Sequence, residues 1–246
     1  MSETRIAVDN SWAQPTIPAA GVTVADFAAA HLTKEQVRDR IEQIGVIPAI
    51  RVASTEDALF AAETIAEAGI PVVEISMTVP GSMGVISHLA KHAPEVIIGA
   101  GGILNAKTAH QCLDQGAKFL TSDGLVLDIV EFASKESAVV IPGALTPTEI
   151  IAAWNAGSDF VKVYPCNAVG GPRYIRSLKA ALPQARLIAA GGVDQLTALD
   201  FIAAGAAAIG VGKELFPDEA IWLRQERRIQ ELARRFMSFV AKGRRA

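Results

Sequence analysis

Residues 159–165 have the sequence Asp159-Phe160-Val161-Lys162-Val163-Tyr164-Pro165. A short apolar run of this kind predicts a buried strand of a parallel sheet. Burial disfavours an ammonium group, and a lysine that is partly neutral near pH 7 is a nucleophile suited to forming a Schiff base with a ketone. The alternative from this stretch alone is a lysine at a strand end whose amine reaches water.

The same unit of a strand followed by a helix recurs along the chain. The stretches between the apolar runs have helical periodicity, and several end in glycine, as at Ala68-Gly69. Thr146-Pro147-Thr148-Glu149 is a complete helix start, with a cap, a proline and an acid. The apolar runs begin near Val46, Val72, Val96, Phe119, Val139, Phe160, Leu187 and Ala208. Eight such units predict an α/β fold, a single (β/α)8 TIM barrel.

A doubly wound sheet is the competing arrangement for alternating strands and helices. That fold usually has fewer strands and a glycine fingerprint after the first strand. Here the first predicted strand ends in Arg51-Val52-Ala53-Ser54, which contains no glycine. The barrel is therefore the preferred prediction.

The two ends of the chain differ from the repeating units. Residues 1–32 contain Pro15, Pro18 and Gly21 and predict an irregular N-terminal extension, with a short helix near Val24 to His31. The barrel domain is expected over residues 33–246, beginning with a capping box at Thr33 and Gln36.

A C-terminal amphipathic helix is predicted from Asp218 to Val240. Its apolar face should pack on the barrel and consists of Ile221, Ile229, Leu232, Phe236 and Val240. The opposite face is expected to be solvated and carries Arg224, Arg227, Arg228, Arg234 and Arg235.

Composition excludes several classes of protein. The formal charge of −3 and the pI of about 5.8 provide no basic field, so nucleic acid is not an expected partner. No apolar run approaches the roughly 18 residues of a membrane span, and the N-terminus lacks the apolar core of a secretory signal. A cytoplasmic protein without a membrane partner is the expectation.

Cysteine and histidine spacing gives no metal signature. Cys112 and Cys166 form no C-x-x-C pair, which argues against a disulfide framework or a zinc ribbon. His88 and His92 have helical spacing but no glutamate between them, and they are expected on the surface of an outer helix. We predict no bound metal, and for Cys166 no role beyond packing.

Strand alternation predicts two ionisable groups inside the barrel. Lys162 shares its side of the sixth strand with Phe160, and Glu74 shares its side of the second strand with Val72. These two strands lie on opposite walls of an eight-stranded barrel, so the two side chains are expected to meet in one layer. A carboxyl group that faces an amine in this way indicates a catalytic site. The alternative is a buried ion pair that only fixes the core.

Two glycine-rich segments predict an anion site at the ends of the last two strands. They are Gly191-Gly192-Val193 and Gly210-Val211-Gly212-Lys213, where backbone N–H groups can approach a phosphate and Lys213 adds a cation. The second segment lacks the remaining residues of a P-loop, which argues against a nucleotide. Arg51 points inward with Ala49 and is a candidate clamp for a carboxylate or phosphate.

Taken in order, several segments over residues 34–216 resemble one family: the 2-keto-3-deoxy-6-phosphogluconate (KDPG) and 2-keto-3-deoxy-6-phosphogalactonate (KDPGal) aldolases, which share their fold with 4-hydroxy-2-oxoglutarate (KHG) aldolase. The motifs are Ile47-Pro48-Ala49-Ile50-Arg51, Val73-Glu74-Ile75, Gly99-Ala100-Gly101 with Leu104-Asn105, Pro142-Gly143 with Thr146 and Glu149, Phe160-Val161-Lys162 with Pro165, and the two glycine segments.

The resemblance implies a class I aldolase that needs neither metal nor cofactor. Lys162 would form the Schiff base, Glu74 would move protons, and the chain would form a homotrimer that acts on a small-molecule substrate. By the same resemblance, the substrate-binding residues are Arg51, Thr78, Gly101, Pro142, Gly143, Thr146 and Ala190, and the phosphate-binding residues are Gly191, Gly192, Gly210, Gly212 and Lys213.

Five positions depart from the family pattern. Thr78 replaces a usual arginine, Gly102 and Ala190 usual threonines, Asp123 a usual proline, and Lys213 a small residue. The changes at Thr78 and Ala190 resemble the galactonate branch. Three hypotheses follow: an aldolase for a 2-keto-3-deoxy-6-phospho sugar acid, a KHG-type aldolase without a phosphate requirement, and a non-catalytic barrel that binds phosphosugars.

Overall fold

The computed structural model describes residues 29–246 of the chain. Residues 1–28, and with them most of the predicted N-terminal extension, lie outside the described part. Of the short helix predicted near Val24 to His31, only the end is described, and it forms a 3-10 turn over Ala29–His31. The boundary predicted between residues 32 and 33 stays a prediction.

Parallel strands alternate with helices along the described chain. The strands are β1 Val46–Ile50, β2 Val72–Ser76, β3 Ile97–Gly101, β4 Phe119–Thr121, β5 Val139–Ile141, β6 Gly143–Ala144, β7 Val161–Val163, β8 Leu187–Ala190 and β9 Ala208–Val211. The helices are α1 Lys34–Ile44, α2 Thr55–Glu67, α3 Ser82–His92, α4 Ala106–Asp114, α5 Leu127–Lys135, α6 Pro147–Asn155, α7 Pro172–Ala181, α8 Ala198–Ala203, α9 Asp218–Trp222 and α10 Glu226–Gly243. No helix within residues 29–246 is long and apolar enough to cross a membrane.

The strands form a parallel, nearly closed barrel in the order β5-β4-β3-β2-β1-β9-β8-β7-β6. The (β/α)8 fold is thus confirmed, although residues 29–246 form nine strands where eight were predicted. The fifth predicted strand is divided at Pro142, which has no N–H for the ladder. The Pro142 carbonyl still accepts a hydrogen bond from Lys162 N at 2.9 Å, so the wall continues across the break.

The predicted capping box at Thr33 is present, and the helix start predicted at Thr146 is a capping box as well. Thr33 accepts from the backbone N–H of Gln36 at the start of α1, while the Gln36 side chain accepts from the backbone of Thr33. Thr146 and Glu149 make the same reciprocal pair at the start of α6, where Pro147 takes the first turn. These local signals explain why both helices begin where the sequence predicts.

Two layers of apolar side chains confirm the strand alternation. Val161 and Val163 pack between the sheet and the outer helices, whereas Phe160 belongs to the core inside the barrel. In β2, Val73 faces the helices and Val72 the interior. Lys162 and Glu74 therefore point into the lumen, on strands that stand opposite each other in the barrel.

Helix α1 closes the bottom of the barrel. Its buried residues Val37 and Ile41 pack against the lower interior layer, which contains Phe119, Phe160 and Ile188. Because this end is filled with hydrocarbon, the free part of the lumen lies at the carboxyl ends of the strands.

The C-terminal helix is the main error of the sequence analysis. The predicted helix Asp218–Val240 is two helices, α9 and α10, separated at Arg224, which has a positive φ of 52°. Arg224 forms an ion pair with Asp57 at 2.7 Å and lies over the Phe60 ring. These contacts to α2 are a physical reason for the break. In α10 three residues of the predicted apolar face, Ile229, Phe236 and Val240, are buried and Leu232 is half-buried, whereas the four arginines are exposed.

Candidate active site

A cavity of about 430 Å³ opens at the carboxyl ends of the strands. Its lining brings together side chains from opposite walls of the barrel and the loops that follow β8 and β9. The lining residues are Ala49, Arg51, Glu74, Asp123, Lys162, Tyr164, Asn167, Ala190, Gly191, Gly192, Val193, Asp194, Gly210, Gly212, Lys213 and Glu214.

The two predicted catalytic side chains share this cavity. Lys162 is 5% exposed and Glu74 is 4% exposed. Glu74 lies against Gly101 on the neighbouring strand, where an added Cβ would come within 2.1 Å of Glu74 Oε1. Among the described residues no ion pair joins Glu74 to Lys162, so the carboxyl group and the amine face the cavity separately.

The carboxylate that pairs with Lys162 is Asp123, from the loop after β4. Lys162 Nζ donates a hydrogen bond to Asp123 Oδ1 at 2.7 Å, and Arg51 Nη2 lies 3.4 Å from both carboxylate oxygens. Burial alone would raise the pKa of Asp123, but the hydrogen bond and charge of Lys162 and the charge of Arg51 outweigh it and lower the pKa. Asp123 is therefore an anion between two cations.

Sequence reasoning noted Asp123 only as a departure from the family pattern. Nothing in the local sequence shows that this loop turns its carboxylate toward β7. The loop is held by Ser122, whose Oγ donates to Gly124 O at 2.7 Å, and by close packing on Gly143. A Cβ on Gly143 would lie 2.3 Å from the Asp123 carbonyl carbon. Glycine at 143 is thus required for the backbone of Asp123 to approach the wall.

The first predicted phosphate segment is a turn that only glycine fits. Gly191 and Gly192 have φ of 81° and 85°. An added Cβ would meet Pro165 Cα at 2.8 Å from Gly191 and Asn167 Cβ at 2.5 Å from Gly192. The close approach fixes this turn against the chain that follows β7, at the rim of the cavity.

The second predicted phosphate segment borders the same rim. Gly210 lies beside Ala190, with an added Cβ 3.1 Å from the Ala190 methyl carbon. The Lys213 side chain is 80% exposed and forms an ion pair with the equally exposed Asp218 at 3.2 Å. The two glycine segments and Lys213 therefore meet at one side of the mouth, as predicted from their positions after the last two strands.

Five of the seven predicted substrate-binding residues do not line the cavity. The Thr78 hydroxyl is 2.8 Å from the Ser76 hydroxyl, and Thr146 is engaged in capping α6. Gly101 and Gly143 make room for Glu74 and Asp123, and Pro142 divides the strand wall. Ala190 and Arg51 are on the lining. The binding roles of all seven residues stay predictions.

The structure adds cavity residues that the sequence did not single out. The Tyr164 ring lies near the amine, with Lys162 Nζ 5.6 Å from its centroid. Asn167 and Asp194 line the side below the glycine turn. Cys166 is buried and its thiol donates to Gly191 O, while burial raises the pKa of this thiol to about 12. A protonated thiol of this kind agrees with the packing role predicted for it.

The barrel is closed at the bottom, and the cavity at its open end contains a buried amine and a buried carboxyl group. This is the architecture of a barrel enzyme that works through a lysine. The comparisons with known proteins agree with this class. Residues 37–232 match the KDPG and KHG aldolase family, and the chain belongs to that family.

Two relatives align with most of the chain. A 2-dehydro-3-deoxy-phosphogluconate aldolase of Pseudoalteromonas atlantica is 27% identical over 85% of this chain and 97% of its own length. A probable 2-dehydro-3-deoxy-6-phosphogalactonate aldolase of Rhizobium meliloti is 30% identical over 70% of this chain and 81% of its own.

A solved relative carries a trapped intermediate. The KDPG aldolase of Legionella pneumophila, crystallised with pyruvate captured at low pH as a covalent carbinolamine, superposes with a TM-score of 0.75. It is 27% identical, and the match covers 80% of this chain and 96% of that one.

Proposed function

We propose that this chain is a class I aldolase that cleaves a 2-keto-3-deoxy-6-phospho sugar acid into pyruvate and glyceraldehyde 3-phosphate. The observation that carries the proposal is the buried amine of Lys162, which lines the same cavity as the buried carboxyl group of Glu74. Membership of the KDPG and KHG aldolase family supports it. A buried lysine at this position is a suitable nucleophile for the C2 ketone.

The first half of the reaction forms the imine. Lys162 Nζ gives one proton to solvent, and its lone pair adds to C2. A second proton then passes from nitrogen to the former ketone oxygen, which becomes the hydroxyl of a carbinolamine. Glu74 takes up a proton from solvent and gives it to this hydroxyl, the C2–O bond breaks, and water leaves. A positively charged C2=N bond remains, and Glu74 is left as a carboxylate.

The second half cleaves the carbon chain. Glu74 accepts the proton of the C4 hydroxyl, and the electron pair of the C3–C4 bond becomes the C2=C3 bond of an enamine. The electron pair of the C2=N bond returns to nitrogen, which acts as the electron sink. Protonation at C3 and hydrolysis then release pyruvate. Glu74 alternates between acid and base, which one carboxyl group facing both reacting carbons is able to do.

We propose a contact in the cavity for each end of the substrate. We infer that the phosphate binds to the backbone N–H groups of Gly191, Gly192, Gly210 and Gly212 with Lys213 beside it. Arg51 is proposed to bind an anionic or hydroxyl group near C1, since Ala190 offers no polar contact to a carboxylate. Cleavage needs no metal in this scheme, because the imine supplies the electron sink.

The decisive experiment is chemical trapping. Incubation of the protein with pyruvate and borohydride should leave a stable adduct on the Lys162 peptide, detected by mass spectrometry. The gluconate and galactonate epimers are then assayed side by side through pyruvate release, because the two branches differ at C4. A folded protein that forms no adduct and releases no pyruvate would fit the non-catalytic binding barrel instead.

A KHG-type aldolase without a phosphate requirement is the second candidate, and the family includes both activities. The observation that favours it is Lys213, whose ammonium is exposed and already paired with Asp218. Only the aldolase for a phosphorylated substrate needs Lys213 to bind phosphate.

Lys213→Ala is expected to lower kcat/KM for a phosphorylated substrate about 3- to 10-fold, the scale of one solvent-screened charge contact. Turnover of 4-hydroxy-2-oxoglutarate should stay unchanged. Lys242→Ala on α10 is the matched control, because it removes an exposed lysine far from the cavity. Equal effects on both substrates would argue against a phosphate site at this rim.

We also infer a homotrimer in the cytoplasm, as in the family resemblance. Size-exclusion chromatography with light scattering measures the assembly directly, and a monomer at micromolar concentration would contradict the trimer.

A further inference from the structure

The loop after β4 brings an extra charged group into the cavity. Asp123 Oδ1 is 2.7 Å from Lys162 Nζ, the atom that forms the covalent bond in the proposed reaction. The proton-transfer scheme above uses Lys162 and Glu74 and assigns nothing to Asp123. A carboxylate in direct contact with the reacting nitrogen changes the energy of every species in which that nitrogen is charged.

We propose that Asp123 is a third catalytic residue, the counter-ion that stabilises positive charge on Lys162 Nζ, first as the ammonium and then as the protonated imine. The inference rests on the proposed function and deepens it. In the protonated imine, nitrogen keeps one N–H, and Asp123 Oδ1 is placed to accept its hydrogen bond as it accepts that of the free ammonium.

The surroundings keep Asp123 in this role. Arg51, 3.4 Å away, adds a second positive charge, and the Asp123 carboxyl has a lowered pKa. It is therefore ionised at neutral pH and is a weak proton acceptor, which suits a counter-ion better than a base. The packing of its backbone on Gly143 limits its withdrawal from the wall.

Two other charged groups around the cavity, Asp194 and Lys213, have partners of their own. Asp194 accepts from Leu196 N, Thr197 N and the Thr197 hydroxyl, and Lys213 is paired with Asp218. The further titratable residues that face the cavity are Arg51, Glu74, Tyr164 and Glu214. Within residues 29–246, Asp123 is the carboxylate bonded to Lys162, so the charge at position 123 is the one whose removal acts directly on nitrogen.

The counter-ion has two opposite effects. It makes the free amine scarcer, because the ammonium is stabilised, and it makes the charged imine more abundant at higher pH. This stabilisation by Asp123 is lost when cleavage returns electrons to nitrogen, because the nitrogen is then neutral. Loss of the carboxylate should therefore displace the whole pH profile of imine formation toward acid and not merely reduce its height.

The test compares Asp123→Asn with Asp123→Glu. In Asp123→Asn, both limbs of the pH profile for pyruvate trapping should move to lower pH by about one unit. This is the lower end of the pKa shift that a close opposite charge causes, and it is expected because Asp123 is partly exposed. Asp123→Glu retains the charge and should keep the profile near that of the natural chain. Arg51→Gln removes the competing cation and should move the acid limb in the opposite direction.

A second measurement does not depend on aldolase activity. Acetic anhydride labelling of Lys162 in the ligand-free protein, followed by peptide mass spectrometry across pH, should show the same downward displacement in Asp123→Asn. Unshifted labelling and unshifted trapping in folded variants would overturn the counter-ion. If the natural chain forms no pyruvate adduct, both the proposed function and the role of Asp123 beside the imine are rejected. The labelling profiles then still test whether Asp123 stabilises the ammonium of Lys162. If Asp123→Asn does not fold, Arg51→Gln provides the test: the proposal expects its acid limb to move to higher pH, and a move to lower pH would contradict it.

Discussion

Lys162→Met is expected to abolish pyruvate release and pyruvate trapping together. The substitution removes the amine but keeps an unbranched chain of similar length in a buried position. Loss of a covalent nucleophile costs on the order of 10⁶-fold in kcat in well-studied enzymes. Arg51 remains to pair with Asp123, so the variant should not leave that carboxylate without a cation. The measurement is a coupled pyruvate assay beside borohydride trapping.

Lys162→Arg is the companion variant that separates charge from nucleophilicity. Arginine keeps the positive charge beside Asp123 but stays protonated at any accessible pH and forms no imine. It should be as inactive as Lys162→Met. Lys91→Met, at an exposed position on α3, is the control and should be fully active. Residual activity above one part in about 10³ in both Lys162 variants would be incompatible with a lysine nucleophile.

The barrel was predictable because its signals are local. Alternation along β2 and β7 follows from backbone geometry, so Glu74 and Lys162 could be placed in the lumen without any long-range information. The capping boxes at Thr33 and Thr146 use side chains three residues apart. The glycine turn at Gly191 and Gly192 was similarly visible, because few other residues tolerate positive φ.

What the sequence missed depends on contacts between distant segments. Asp123 reaches Lys162 across 39 residues of chain, and only the closed barrel makes them neighbours. The break at Arg224 arises where that side chain meets Asp57 on another helix. The division of the fifth strand at Pro142 follows from a local feature, the missing N–H of proline. It changes the barrel wall little, because the Pro142 carbonyl still accepts a hydrogen bond from β7.

Two glycines show how the sequence motifs relate to packing in the structure. Gly101 and Gly143 were expected to bind substrate because the family motifs include them. In the structure they make room for two acidic residues that line the cavity, since an added Cβ would meet the Glu74 side chain at one position and the backbone of Asp123 at the other. A motif can therefore report the packing that a site requires as well as contacts to its ligand.

Glu74→Gln is expected to lower kcat for cleavage by about 10²- to 10⁴-fold, the usual contribution of a general acid–base group. Glutamine has nearly the same shape, so it should still lie against Gly101, but it cannot accept the C4 hydroxyl proton. Trapping with pyruvate involves no C4 hydroxyl and should be slowed but not abolished. Glu74→Gln should thus separate the two halves of the reaction, whereas Lys162→Met stops both. Glu63→Gln, an exposed change on α2, controls for loss of charge. If Glu74→Gln cleaved the sugar acid at the natural rate, the proton would have to go elsewhere, and Asp123 would be the nearest carboxylate to the reacting nitrogen.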